Sequence, residues 1–398
     1  MPANPKTCNK IFLFSFLNAP CSCNYGAMKD FLQKIVRADS TVEKGEFETA
    51  TLISRELARC GIEAHIDTWD ANRANLCATA KSSGSAPALL FLCHLDVVPP
   101  GSFGWSNPPF DAVHSNGRIY GRGAADMKGG IAAIVQAMRH VVDAGLKLKG
   151  DIILVATAGE ETDSCGARKF MANSGDTLGA LAGVVIPEPT DFDIVTAHRG
   201  ILWLEITTKG KTAHGSTPHL GINAITSMQA VLDELGRHEI QAEPHELLGS
   251  CSMSINTIAG GEAINVVPDT CRLGIDIRTL PGQNHEEIIA GIKRMLATLE
   301  QTDPQFQADV TIVRQVEALQ TNSDSPFVAD FCSAVGIGKT TAVGFTTDGP
   351  HFAPLNVPIV IFGPGKSGLC HKPDEYIDLS DVEKAVEYYK KIILKFLG

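Results

Sequence analysis

Apolar positions along the chain follow two periods that take turns. From Met28 a helical period runs through Phe31, Ile35 and Val36, then Ala50, Leu52, Ile53, Leu57 and Ala58, ending near Gly61. Strands are predicted at Glu63–Asp67 and Asn75–Ala78. The unbroken run at Leu89–Cys93, carried on to Val98 and stopped by Pro99-Pro100-Gly101, predicts a strand buried on both faces, as in a parallel sheet. Lys128–Val142 sets Ile131, Ile134, Val135, Met138 and Val141 on one helical face. A strand at Asp151–Ala156, a helix at Ala167–Met171 and a strand at Gly183–Ile186 follow. Such alternation specifies a doubly wound α/β fold with a mostly parallel sheet.

The pattern changes over residues 198–319. Strand Ile201–Lys209, helix Asn223–Arg237, strands Ser250–Ile258 and Asp269–Arg278, helix Glu286–Leu299 and strand Ala308–Val316 spell βαββαβ, a small ferredoxin-like two-layer unit. The α/β pattern resumes with helix Ser325–Val335, strand Val357–Ile361 and helix Asp381–Phe396. The expected organisation is a larger domain of residues 28–197 and 320–398 interrupted by an inserted domain of 198–319. Residues 1–27 are compositionally separate and loosely imitate a signal peptide, with Lys6 and Lys10 before a short apolar run. No A-x-A cleavage site follows that run, and a disordered or misassigned extension is expected there.

Composition narrows the function classes. The 398 residues are 44% hydrophobic and 20% charged, an ordinary globular balance long enough for two cores. Lys and Arg number 34 against 45 Asp and Glu, and the net charge of −11 disfavours nucleic acid and anionic membranes as partners. No segment reaches the ~18 apolar residues of a membrane span. Eleven cysteines, odd in number and without a C-x-x-C pair, argue for a reducing, cytoplasmic setting. Cys93 and Cys370, each one residue before a histidine, are expected to face away from any metal as small buried hydrophobes.

Chemistry gathers where the large-domain strands end, the place α/β sheets put their sites. His94 and Asp96 end one strand and lie two residues apart, so extended chain would point both to one side. Asp126 lies in a glycine-rich loop, Glu160-Glu161 follows the next strand, Glu188 another, and His371 the last. A hydrogen-bonded His94–Asp96 pair alone would need no metal. Apart from Asp96, six imidazole and carboxylate groups converging without a cation would repel one another, whereas two divalent ions about 3.5–4 Å apart, bridged by one carboxylate, would satisfy five and leave one free. In the Glu160-Glu161 pair one residue can ligate while the other serves as general base.

The segments HLDVVP at 94–99, GRGAADMKGG at 121–130, AGEETDSCGA at 158–167, PEPTD at 187–191, GKTAHGSTPHLGINAI at 210–225, NVVPDTCRLGIDIRTLPG at 265–282 and CHKPDE at 370–375 resemble the M20 family of dinuclear zinc amidohydrolases. More narrowly they resemble its acetylornithine deacetylase and succinyl-diaminopimelate desuccinylase branch, from about residue 28 to the end. The resemblance implies two zinc ions per chain, with cobalt or manganese able to substitute. One ion would be held by His94 and Glu188 and the other by Glu161 and His371, with Asp126 as the bridge. Asp96 would orient His94, Glu160 would be the general base, and the Asp126–Met127 peptide would be cis. The inserted domain resembles the family's lid and homodimer contact. In it His214 would reach the partner's site to hold the oxyanion, Arg278 would clamp a substrate carboxylate, and Asn265 would assist. The residues themselves leave two alternatives open: a salt bridge of Arg278 with Asp276 or Asp269, and His219 as competitor to His214.

The implied activity is hydrolysis of the amide of a small N-acylated amino acid. An acetylornithine deacetylase-like enzyme is expected first; a desuccinylase, dipeptidase, carboxypeptidase or aminoacylase are the alternatives. Other classes fail on particular residues. A Walker loop at Gly363–Ser367 would need glycine where Val360 stands, and Gly121-x-Gly123 has Asp126 at the third glycine of a dinucleotide fingerprint. No G-x-S-x-G elbow exists. A non-catalytic binding protein of this fold would have lost Glu160 or several ligands, and all are present.

Overall fold

The computed structural model describes residues 25–398; the expectations for the leading segment fall almost wholly outside them. Helix α1 (Tyr25–Arg37) begins three residues before Met28 and is followed by α2 (Phe47–Ala58). Strands β1 (Ala64–Trp69), β2 (Arg73–Ala80), β3 (Ala86–His94), β4 (Val113–Ser115) and β5 (Arg118–Tyr120) precede α3 (Gly129–Asp143). Then come β6 (Gly150–Thr157), α4 (Cys165–Ser174), β7 (Leu181–Ile186) and β8 (Ile194–His198). The inserted unit is β9 (Gly200–Lys209), α5 (Ala224–Leu235), β10 (Ser252–Gly260), β11 (Thr270–Thr279), α6 (His285–Thr302) and β12 (Gln307–Val316). The chain closes with β13 (Leu319–Gln320), α7 (Pro326–Val335), β14 (Thr340–Val343), β15 (Ile359–Ile361), β16 (Tyr376–Asp378) and α8 (Leu379–Leu397).

The large sheet runs β1-β2-β6-β3-β7-β15-β8-β13, with β14 paired to β8. Its middle strands β6, β3, β7 and β15 are mutually parallel, while β1 and β2 at one margin and β13 at the other pair antiparallel. Strand β3 shows why its sequence is apolar at every position. Leu89, Phe91 and Cys93 join the core beneath α1, α2, α3, α7 and α8, while Ala88, Leu90 and Leu92 join the opposite core with Ala167 and Phe170 of α4. Each side chain has a layer to bury against.

The inserted sheet is antiparallel throughout, in the order β10-β11-β9-β12, and Leu202, Leu204 and Ile206 pack with α5 and α6 in a core of their own. Asn223 and Asn284 cap these helices, Asn223 accepting from the backbone N–H groups of Ile225 and Thr226 and Asn284 from that of Glu286. The sequence pattern misses β4, β5, β8, β13, β14 and β16. All have five residues or fewer, too short for a period to register.

Candidate metal centre

Four adjacent parallel strands end on one side of the large sheet and deliver the site. Strand β3 ends at His94, β6 leads into the loop bearing Glu160 and Glu161, β7 is followed by Glu188, and β15 leads toward His371. Asp126 comes from the turn between β5 and α3, where the peptide bond to Met127 is cis, as the resemblance implies. Close packing sets this turn against Glu188. A Cβ on Gly130 would lie 2.2 Å from the Pro187 carbonyl oxygen, so only glycine lets α3 start there.

Asp126 faces both ways. Its Oδ1 lies 3.1 Å from Nε2 of His94 and its Oδ2 lies 3.4 Å from Nε2 of His371. Nε2 of His94 is also 3.6 Å from Oε1 of Glu188, and Nε2 of His371 is 3.0 Å from Oε1 of Glu161. Donor atoms of His94, Asp126 and Glu161 all fall within 4.8 Å of one another. Glu375 braces the turn from beneath, accepting from the N–H groups of Ala125 and Asp126 at 3.0 and 3.2 Å and pairing with buried Arg122 at 2.6 Å. Burial, then the Asp126 charge, pushes its carboxyl up to about 7.

The electrostatics follow from how closely these groups are crowded. Burial, reinforced by neighbouring carboxylates, raises the pKa values of Glu160, Glu161 and Glu188. Burial would lower that of His94, but Glu188, Asp126 and Asp96 outweigh it and the ring is held well above its usual range. Hydrogen bonds to Asp126 and Glu161 raise His371 to about 10. Carboxylates crowded so closely repel one another, a repulsion that a cation held among them would relieve. The imidazole and carboxylate donor set fits borderline first-row metals.

Asp96 does more than the sequence indicates. Strand β3 stops at His94, so strand alternation no longer governs Asp96. Its Oδ1 and Oδ2 accept from the N–H groups of Glu160 and Glu161, both at 3.1 Å, and its Oδ1 is 3.7 Å from Nδ1 of His94. The nearer acceptor for Nδ1 is the Asp96 carbonyl oxygen, at 3.0 Å.

Cys370 corrects an expectation. It is half-buried rather than a core hydrophobe, and its thiol lies beside the Asp126 carboxylate, which together with burial pushes its pKa up. The turn at His371, with φ of 63°, takes this segment out of the extended conformation on which that expectation rested. Cys93 is buried as expected.

The inserted-domain candidates stand apart from this cluster. His214 is exposed, with its Nδ1 2.7 Å from the Ser216 hydroxyl, and its loop bridges to that of Asn265 through Val266. Arg278 forks onto Asp276, Nε to Oδ1 at 2.9 Å and a terminal nitrogen to Oδ2 at 3.0 Å, which is the alternative left open by the sequence. Two groups near the site escaped the sequence reading. Asp348 is buried and accepts from the Thr157 hydroxyl at 2.7 Å, and Arg314 reaches from β12 to the Glu160 carbonyl oxygen. Neither lies in a recognisable motif.

Among curated relatives, a probable succinyl-diaminopimelate desuccinylase of Staphylococcus epidermidis is 29% identical, spanning 88% of this chain and 93% of its own. An acetylornithine deacetylase of Proteus mirabilis is 30% identical, spanning 91% and 93%. Among solved structures, an M20-family metallo-carboxypeptidase from Sulfolobus solfataricus superposes with a TM-score of 0.77 at 19% identity, covering 93% of this chain and 98% of its own. The aminopeptidase PepT of Bacillus cereus gives 0.75 at 21%, covering 94% and 99%. The model of peptidase family M20/M25/M40 matches residues 90–395, nearly all of the chain that follows the first two strands, and the protein belongs to that family.

Proposed function

We propose that the chain hydrolyses the amide of a small N-acylated amino acid, in the manner of an acetylornithine deacetylase, using a pair of divalent metal ions. The observation that carries this reading is the two-sided Asp126, with a histidine and a glutamate on each side and the buried Glu160 next to one of them. In it His94 and Glu188 would hold one ion, Glu161 and His371 the other, and Asp126 would contribute to both. Zinc suits these donors, with cobalt or manganese as substitutes. The ions would supply Lewis acidity to the acyl carbonyl and make water a better nucleophile near neutral pH.

The protein's own groups do the rest. Glu160 takes a proton as the water oxygen bonds to the acyl carbon, then returns it to the nitrogen as the carbon–nitrogen bond breaks. Burial raises its pKa and so favours the protonated form that returns the proton. Arg278 exchanges Asp276 for the substrate carboxylate, and His214 from a partner subunit, with Asn265 beside it, donates to the oxyanion. A homodimer through the inserted domain belongs to the same reading. Strand β10 is one of the two outer strands of its sheet, with Ile255 and Ile258 exposed and Ile264 and Val266 exposed beyond its end. We place the enzyme in the cytoplasm on its cysteine content; no described helix is long and apolar enough to cross a membrane.

The relatives' names divide between deacetylase and desuccinylase. Assay of N-acetylornithine, N-succinyl-diaminopimelate and a set of dipeptides with added zinc, cobalt or manganese separates them. The reading expects the highest kcat/KM on N-acetylornithine and none after exhaustive chelation. Preference for the succinyl substrate would move the assignment to the desuccinylase.

A further inference from the structure

We infer that Arg314, on the inserted domain, is a positioning residue that sets the orientation of Glu160 and couples it to the seat of that domain on the large one. Three observations on the fold converge on this residue.

The first is the contact itself. A terminal guanidinium nitrogen of Arg314 donates to the carbonyl oxygen of Glu160, across 154 residues of sequence. That carbonyl and the N–H of Glu161 belong to one peptide unit. The N–H end donates to Oδ2 of Asp96 at 3.1 Å, and the N–H of Glu160 itself donates to Oδ1. The peptide between the two glutamates is therefore gripped from the large domain at one end and from the inserted domain at the other. Its orientation sets the Cα–Cβ directions of both side chains.

The second is how β12 aims the side chain. Its pairing with β9 slips by one residue between Ile312 and Arg314, leaving Val313 as the extra, exposed residue. A bulge of this kind reverses which face the following residues take and often re-aims a side chain beside an active site. Here it pairs Arg314 with Trp203, on the face of the sheet turned away from Leu202 and Leu204 in the core.

The third is the support behind the guanidinium. The Arg314 carbon Cζ stands 5.5 Å from the centre of the Trp203 ring, and its Nε is buried without a partner among the described residues. A half-buried guanidinium over an indole, with its Nε buried, is restrained in orientation. A guanidinium placed only for solubility would not have its Nε buried with an unmet donor.

The inference rests on the role proposed for Glu160 and is tested beside it. Glu160→Gln, Arg314→Met and Arg314→Lys are compared with the wild type for kcat, KM, bound metal per chain and melting temperature, using the panel substrate of highest kcat/KM. Methionine keeps an apolar stem against Trp203 and removes the donor. The expected result for Arg314→Met is a kcat lowered on the order of 10- to 100-fold, as for a misplaced reacting group. KM and metal content should stay near wild type, with partial recovery of kcat on adding guanidinium at millimolar concentration. Arg314→Lys should fall between. Unchanged kcat, a loss confined to KM, or a loss matched by metal release or unfolding in both variants would overturn the role. An active Glu160→Gln would instead overturn the function proposed for the site, whereas an inactive Glu160→Gln with a fully active Arg314→Met would remove this inference alone.

Discussion

Nε2 of His94 and Oδ1 of Asp126 stand 3.1 Å apart, while the other oxygen of the same carboxylate faces His371. One side chain thus serves both halves of the site, and its loss should affect both. Asp126→Asn keeps the shape but removes the charge and makes half the group a donor. On the proposed two-ion reading, metal content should drop from two per chain, and activity should fall by about 100-fold or more, beyond the loss typical of residues behind the ligands. Elemental analysis of the purified variant alongside the amidase assay checks this; full occupancy would remove Asp126 as the bridge.

Asp96 holds the N–H groups of Glu160 and Glu161 and lies behind His94. Asp96→Ala should weaken metal binding about 10- to 100-fold, the range for a group that orients a ligand. It should also lower kcat, because the buried N–H of Glu160 and the half-buried N–H of Glu161 lose their acceptor. Titration with a competing chelator, together with kcat at saturating metal, separates the two effects.

His198, at the end of β8, is fully buried, and burial lowers its pKa to about 4. Nδ1 donates to the Arg199 carbonyl oxygen at 2.8 Å, so Nε2, 3.1 Å from the Thr347 hydroxyl, is the acceptor of a neutral ring. The unfolded chain takes up this proton near pH 6.5, before the folded chain does, so acid favours unfolding. The contribution is intact above pH 6.5 and is lost at about 1.4 kcal/mol per pH unit as pH falls toward 4. Denaturant unfolding at pH 7 and pH 5 should show about 2 kcal/mol less of this stability loss in His198→Gln than in the wild type. Equal losses in the two proteins would rule out the neutral buried ring.

Gly130→Ala places a methyl 2.2 Å from the Pro187 carbonyl oxygen, a backbone atom one residue before Glu188. Overpacking of this kind costs about 1–3 kcal/mol. It should also push α3 and Asp126 away from Glu188, so melting temperature and metal affinity should fall together. A variant that loses neither would mean that the α3 start can shift without disturbing the site.

The sequence by itself determined the elements whose side chains all report one environment. The unbroken apolar run of β3 specified a strand covered on both faces, and the βαββαβ period specified the inserted unit, because burial acts on every residue of such a segment and leaves a period to read. His94, Asp126, Glu160, Glu161, Glu188 and His371 were legible for the same reason: polar groups placed directly after buried strands need partners. Tertiary structure alone decided which groups meet. The bulge in β12 turns Arg314 toward Glu160, the turn at His371 brings Cys370 beside Asp126, and the end of β3 frees Asp96 to bind the amides of the next loop. Each depends on a local break in strand regularity combined with a partner far along the chain. A period carries no record of where it will be broken, nor of what stands opposite when it is.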